Sequence, residues 1–362
     1  MNTESRSLLN EEELLKNRTD KHFLNHYRQR HFTHIYAATG SFLSENPSYS
    51  FELYDDERTR FDYASLTKAL VTAPLVFWDL EQRKLPPQTP VKDWCFGSKK
   101  IFSDHLSQVP VSNLLSHTSG LPDWRSLWIS CANEKRPDSE RQHVIERINY
   151  LRIDPLQSGQ YVYSDIGYII LGLCLEEIYK TSLGELFENF CEKILDYSDS
   201  DLTFNLTRFE REQSISTGFC HVRQTDLLGL VHDENAGMLL GHSGHAGLFG
   251  SGPGLVSYLR RLLFSPIGKK FLHENIKMRK DRKNMIGLMG FHQGGGESSH
   301  PFGDGNAVGH LGFTGTAFWI IPEDNLYSLL LTNRVITGRL SPWNTQFRKE
   351  SFSLFYEILN CE

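Results

Sequence analysis

The sequence predicts an α/β protein: an antiparallel sheet assembled from both chain ends and flanked by helices, with a mostly helical lobe inserted between them. Three observations predict it. Two extended, β-branched or aromatic segments stand near the start, residues 33–43 and 49–55. Two more, Ala317–Pro322 and Leu326–Asn333, stand near the end. Between them, from about 100 to 265, helical segments alternate with Gly/Pro/Asp loops. Strands at the two ends with helices between are not the alternating strand–helix pattern of a doubly wound parallel sheet. This organisation divides the chain into a lead-in over 1–32, a sheet lobe over 33–85 and 270–362, and a helical lobe over 86–269, one domain overall.

Taken in order, residues 1–30 read as a charged helix with Leu8, Leu9, Leu14 and Leu15 as a docking stripe. The segments 33–43 (FTHIYAATGSF) and 49–55 (YSFELYD) are strands separated by SENPS, a turn composition. Ser65–Leu85 shows helical periodicity through Leu66, Ala69, Leu70, Ala73, Phe77 and Leu80, and Pro74 inside it predicts a kink. The PEDN tetrapeptide between the last two strands signals a hairpin, and a helix over 346–360 closes the chain. No internal repeat or low-complexity tract interrupts this plan.

Composition narrows the class. Among 362 residues, 38 basic against 44 acidic side chains leave a net charge of −6, with 39% hydrophobic content. That describes an ordinary soluble globular chain and argues against a collagen-like, disordered or strongly basic nucleic-acid-binding one. The six tryptophans are scattered without basic interleaving, so no nucleic-acid stacking surface is expected. The longest apolar run, Gly167–Leu175, is far short of the roughly 20 residues a membrane span needs. The first residues mix acidic and basic side chains rather than presenting a secretory signal. Cys95, Cys131, Cys174, Cys191, Cys220 and Cys361 form no CxxC pair, and Cys174 reads as a buried thiol. A reducing, cytoplasmic compartment is the expectation, or a periplasmic one if a leader has been removed.

Three motifs carry chemistry. Ser65 and Lys68 stand three residues apart at a helix start, so both side chains project from one face. A serine hydroxyl needs a base to take its proton, and lysine serves if its own pKa is lowered. The helix N-terminus adds N–H groups and a positive dipole beside a developing oxyanion. Chance alone supplies roughly one or two SxxK matches in a chain of this size, so the motif does not stand by itself. Tyr163-Ser164-Asp165 opens an apolar helix; Ser164 and Asp165 suit a cap, while Tyr163 can relay a proton. His310-Leu311-Gly312-Phe313-Thr314-Gly315 precedes the last strand pair, and its glycines permit close approach of a ligand.

At these residues the sequence resembles the serine β-lactamase and penicillin-binding-protein superfamily, in particular the branch like class C β-lactamases. The order SxxK, YS[ND], [KH]xG is that family's. Leu114–Pro122 (LLSHTSGLP), Tyr163–Gly172 (YSDIGYIILG), Val231–Gly250 (VHDENAGMLLGHSGHAGLFG), Gly309–Thr316 (GHLGFTGT) and Leu331–Val335 (LTNRV) match the same branch, over about residues 33–360. The resemblance implies the β-lactamase/transpeptidase-like fold. It makes Ser65 the acylated nucleophile, Lys68 its base partner and Tyr163 a second general acid or base. Backbone N–H groups of Ser65 and Phe313 would form the oxyanion hole. Asp165, His310, Gly312 and Thr314 would meet the substrate, with His310 in the place held by lysine in the KTG version. Asp165 stands where class C enzymes carry asparagine, and its charge favours protonated Lys68.

Other residues take plainer readings. His242 and His245 have no third ligand at metal spacing, so a loop near the rim is expected rather than a metal site. His232-Asp233-Glu234 reads as a structural loop bordering the cleft, His117 as fixing a turn, and Gly294–Gly296 as a flexible loop. No cofactor is implied, because the protein can supply nucleophile, base and oxyanion donors. The expected activity is a serine hydrolase of the D-alanyl-D-alanine carboxypeptidase or D-amino peptidase type, or an esterase. A β-lactamase and a catalytically impaired ligand sensor are the alternatives. The expected partner is a small acyl, D-amino-acid peptide or ester substrate, with no nucleic acid and no membrane span.

Overall fold

The computed structural model describes residues 3–97, 101–129, 137–198, 201–281, 289–293 and 307–361. Ten strands occur there: β1 (His34–Ser41), β2 (Tyr49–Tyr54), β3 (Phe61–Asp62), β4 (Phe219–Cys220), β5 (Thr225–Asp226), β6 (Phe249–Gly250), β7 (His292–Gln293), β8 (Val308–Leu311), β9 (Ala317–Ile321) and β10 (Leu326–Thr332). Six of them form the main sheet in the order β2-β1-β10-β9-β8-β7, antiparallel throughout. The chain ends meet in its middle, where β1 pairs with β10 from Ile35↔Thr332 to Ser41↔Leu326. The fold is the expected β-lactamase/transpeptidase-like one.

Alternation along β1 decides how the sheet is covered. Ile35 and Ala37 join one apolar cluster with Leu330, Phe23, Phe347 and Phe355. Tyr36 and Ala38 face the other way, into the larger cluster shared with the helical lobe. Successive strand side chains point to opposite faces, so a strand covered on both sides is buried at nearly every position, as β1 is. The first face is covered by the N-terminal helix Thr3–Arg28 and the C-terminal helix Asn344–Leu359. The docking stripe is corrected here. Leu15 and Phe23 are buried, whereas Leu14 is 67% exposed, because a step of one residue turns it about 100° away from the sheet. The side chains of Leu8 and Leu9 lie outside the described residues.

The hairpin forms as the PEDN signal predicts, closing at Ile321↔Leu326 with Asn325 in the left-handed region at φ +57°. Pro74 acts differently from a simple kink. The chain winds through a wide π turn over Lys68–Thr72, where the Ala73 N–H donates to the Lys68 carbonyl, and then continues as the α-helix Ala73–Gln82. Proline has no N–H for the Leu70 carbonyl one turn back; the buried Tyr258 hydroxyl donates to that carbonyl instead. The helical lobe holds Asp165–Tyr179, Leu183–Lys193 and Gly252–Phe264, while Pro266–Asp281 runs across the expected boundary at 269/270 and packs Phe271 on Phe77. The lobe also contains β4–β5 and β6, two-residue strands too short to leave a periodic signal. Among the described residues no helix is long and apolar enough to cross a membrane.

Candidate active site

Ser65 follows a short pinned segment. Asp62 is buried and accepts from the Ala64 N–H at 2.8 Å, and Ala64 takes a left-handed φ of +49° that a non-glycine residue seldom adopts. The turn between β8 and β9 is stitched to the same segment: Thr314 Oγ1 donates to the Asp62 carbonyl (2.7 Å) and Thr316 Oγ1 to the Tyr63 carbonyl (3.0 Å). Gly312 allows this contact, since a Cβ there would lie 1.9 Å from Thr316 Oγ1 and 2.7 Å from the Tyr63 carbonyl. Phe313 is thereby carried to the cleft beside Ser65. Among the described residues, the backbone N–H groups of Ser65 and Phe313 donate to no protein acceptor. Two free N–H groups flanking a hydroxyl can receive an oxyanion.

Lys68 is fully buried and its Nζ donates to Ser65 Oγ at 2.9 Å and to the His245 carbonyl at 3.1 Å, and pairs with Asp165 Oδ1 at 2.7 Å. Each contact comes from a different part of the chain. Asp165 is the first residue of the helix Asp165–Tyr179, capped by Ser164 as its composition suggests. The His245 carbonyl arrives because glycines let two backbones touch: a Cβ on Gly244 would lie 2.0 Å from the Tyr168 carbonyl. Burial lowers the Lys68 ammonium's pKa, and the Asp165 carboxylate pushes back. Tyr163 lies with its ring 5.0 Å from Lys68 Nζ and hydrogen-bonds Ser65. Burial and then the Asp165 charge hold its phenol well above the usual range, with the Ser65 bond opposing them.

The remaining expected residues are placed less simply. His310 sits on β8, 1% exposed, its ring 6.1 Å from that of Tyr163. Thr314 spends its hydroxyl on Asp62, and Gly312 is spent on the turn, so these two shape the cleft wall. His117, at φ +56°, accepts the Ser164 N–H on Nδ1 and packs 4.5 Å from the Tyr163 ring, so it does fix a turn. His242 packs on Phe204, whereas His245 bonds Asp233 and Ser243, so the two histidines serve different partners. Gly294–Gly296 lies outside the described residues.

The cleft, about 520 Å³, is lined by Ser65, Trp124, Tyr163, His232, Phe313 and Arg334 among others. Sequence reasoning missed several contributors. Asp233 caps a helical turn, accepts from His245 Nε2 at 2.8 Å, and is held well below the usual carboxylate range: burial opposes this, and His245, the Ala236 N–H and Lys68 together outweigh it. The triplet read as a structural loop therefore anchors the carbonyl that holds Lys68. Three arginines, Arg334, Arg339 and Arg348, also face the cleft. Arg348 donates to the Gly312 and Thr316 carbonyls, and burial together with Arg334 brings it down to about 9. Arg339 pairs with Glu234. Arg334 is 7% exposed, stacks 4.7 Å over Phe313, and among the described residues pairs with no carboxylate. Only the LTNRV segment hinted at it.

A nucleophile-ready serine, a buried lysine and two free N–H groups in one cleft are the makings of a serine acyl-hydrolase. The beta-lactamase family model matches residues 55–347. The chain is 30% identical over 314 residues to the N-acetylmuramyl-L-alanine amidase of Bacillus subtilis (strain 168), covering 79% of this chain and 70% of the relative. It is 25% identical over 320 residues to a protein of Escherichia coli (strain K12) named as a provisional D-alanyl-D-alanine carboxypeptidase, with 82% and 72% covered. A class C beta-lactamase from Rhodobacter sphaeroides superposes with TM-score 0.67 at 13% identity, covering 95% of this chain and 99% of that one. The protein belongs to the beta-lactamase family and is a hydrolase of that family.

Proposed function

We propose that the protein cleaves an amide of a D-amino-acid-containing peptide with a free carboxylate end, through an acyl-enzyme on Ser65. The observation that carries this reading is the buried Lys68 ammonium, 2.9 Å from Ser65 Oγ at the foot of an open cleft. Of the two neighbours of Ser65, burial makes Lys68 the one that gives up its proton readily, while Tyr163 stays a neutral phenol. Neutral Lys68 takes the hydroxyl proton as Ser65 Oγ bonds the carbonyl carbon. The oxyanion rests on the N–H groups of Ser65 and Phe313. Tyr163 then gives its proton to the departing amine and recovers one from Lys68. Water repeats the sequence in reverse to release the acid. Arg334 supports the carboxylate, because a buried guanidinium that meets no counter-ion among the described residues is costly until an anion joins it. The two curated relatives are named for amide cleavage, which supports an amide leaving group.

Mass-spectrometric assay of N-acetyl-D-alanyl-D-alanine incubated with the protein should show free D-alanine, and Arg334→Leu should raise KM about tenfold or more with little change in kcat. Turnover of neutral esters alone would make the protein an esterase and sink the amide reading.

The pH profile tests the assignment of the base. Lys68 acts deprotonated, so kcat/KM should rise with pH along a limb placed below the ordinary lysine range. Asp165 raises the lysine's proton affinity, so Asp165→Asn should move that limb to lower pH. A limb that stays put, or moves up, assigns the base elsewhere.

A further inference from the structure

The cleft contains one ring that the chemistry above leaves unused. His232 is 9% exposed and lines the same cleft as Ser65, and neither of its ring nitrogens has a hydrogen-bond partner among the described residues. Buried polar atoms are nearly always paired, so an imidazole that lines a cleft with no protein partner among the described residues is available to a group entering that cleft. Its position is not accidental. The His232 N–H donates to Asp62 Oδ2 at 2.6 Å, and its carbonyl accepts from Arg223 at 2.9 Å. The main chain is thus clamped on both sides, and Asp62 is the residue that also ties down Ala64 and, through its carbonyl, Thr314. One buried residue, through its carboxylate and its carbonyl, therefore registers His232, the nucleophile segment and the Phe313 turn against each other.

The surroundings say what the ring can bind. His232 lies 5.7 Å from the Phe313 ring, and the Arg334 guanidinium lies 4.7 Å over that same ring. Arg334 Nε is itself buried and has no hydrogen-bond partner among the described residues. Burial and the charge of Arg339 bring His232 down to about 4; Arg223 and Arg334 act the same way, and Asp233 opposes them. At neutral pH the imidazole is uncharged, with one N–H to donate, in a field that favours an anion.

We propose that His232 is a specificity-determining residue, donating a hydrogen bond to the substrate carboxylate whose charge Arg334 neutralises. This rests on the carboxylate-ended substrate proposed above. A carboxylate offers two acceptor oxygens, so it can accept from both donors that pack against Phe313, the His232 imidazole and the Arg334 guanidinium. An amide or an alkyl ester in that place would leave a donor unpaired, and unpaired buried groups are what give a site its discrimination.

The test uses a thioester whose leaving group ends in a free carboxylate, N-acetyl-D-alanyl-D-thiolactate, and its methyl ester, with thiol release as the readout. Thioesters react even if the protein cleaves no amide. The wild type should favour the free acid at least tenfold in kcat/KM. His232→Ala should raise KM for the free acid about tenfold, leave kcat within twofold, and leave the methyl ester unaffected. His232→Gln, which keeps a neutral donor, should restore part of the loss. An unchanged acid-to-ester ratio in His232→Ala would overturn the assignment, and so would an equal loss on both substrates, the mark of a merely structural role. A wild type that hydrolyses both without preference would instead overturn the carboxylate reading itself, and His232 with it.

Discussion

Ser65→Ala should lose covalent acylation altogether, and kcat/KM should fall on the order of 10⁴-fold or more. Among the described residues, no other hydroxyl lining the cleft has the lysine contact at 2.9 Å together with two N–H groups that donate to no protein acceptor. Removing one partly exposed oxygen should change stability by less than about 1 kcal/mol, so the loss is chemical rather than structural. The check is the intact mass of the protein after exposure to an activated ester and, separately, to a penicillin. The wild type should gain the acyl mass and the variant should not. The rate at which the wild type then sheds it separates turnover from trapping, which is what divides a hydrolase from a ligand sensor. An adduct of equal yield on Ser65→Ala would remove Ser65 from the mechanism.

Lys68→Met should damage both activity and stability. Methionine has nearly the same length, so the packing survives, but Asp165 loses the cation 2.7 Å away. Removing one member of a buried ion pair typically costs about 3–5 kcal/mol, because the other is left uncompensated. Acylation should also fall by roughly 10²–10⁴, the range of a lost general base. Adding Asp165→Asn to the same chain should recover most of the stability and none of the acylation. Urea unfolding of the wild type, the two single variants and the double variant measures the coupling directly. Equal unfolding midpoints for wild type and Lys68→Met would show that the pair carries no net stability.

The order of events in this cleft explains why some of it was legible in one dimension. Ser65 and Lys68 interact within a single helical turn, so their spacing announces them. Tyr163 and Asp165 sit at a helix start whose capping chemistry is local, and Ser164 performs the cap that its composition implies. The hairpin, the strands at both ends and the C-terminal helix were likewise local patterns, and they appear within a few residues of where they were read.

What escaped depends on contacts between distant segments. Leu14 and Leu15 look alike in sequence, and only the direction of the helix against the sheet puts one in water and the other in the core. Pro74 predicts a break, but whether the helix kinks or widens is settled by Tyr258, 188 residues from the carbonyl it satisfies. The His232-Asp233-Glu234 triplet read as scaffold, because nothing in it shows that Asp233 meets His245 or that His232 is left facing Phe313.

The chain alone was sufficient for the class of sheet, which follows from local periodicity, and it nominated Ser65 and Lys68 through a motif closed within one turn that gains specificity only beside the other family segments. Folding was required to decide the charges and which cationic groups line the cleft. A pKa is set by burial and by neighbours brought from elsewhere, and a buried guanidinium becomes a carboxylate site only once every nearby acid has been committed to another partner.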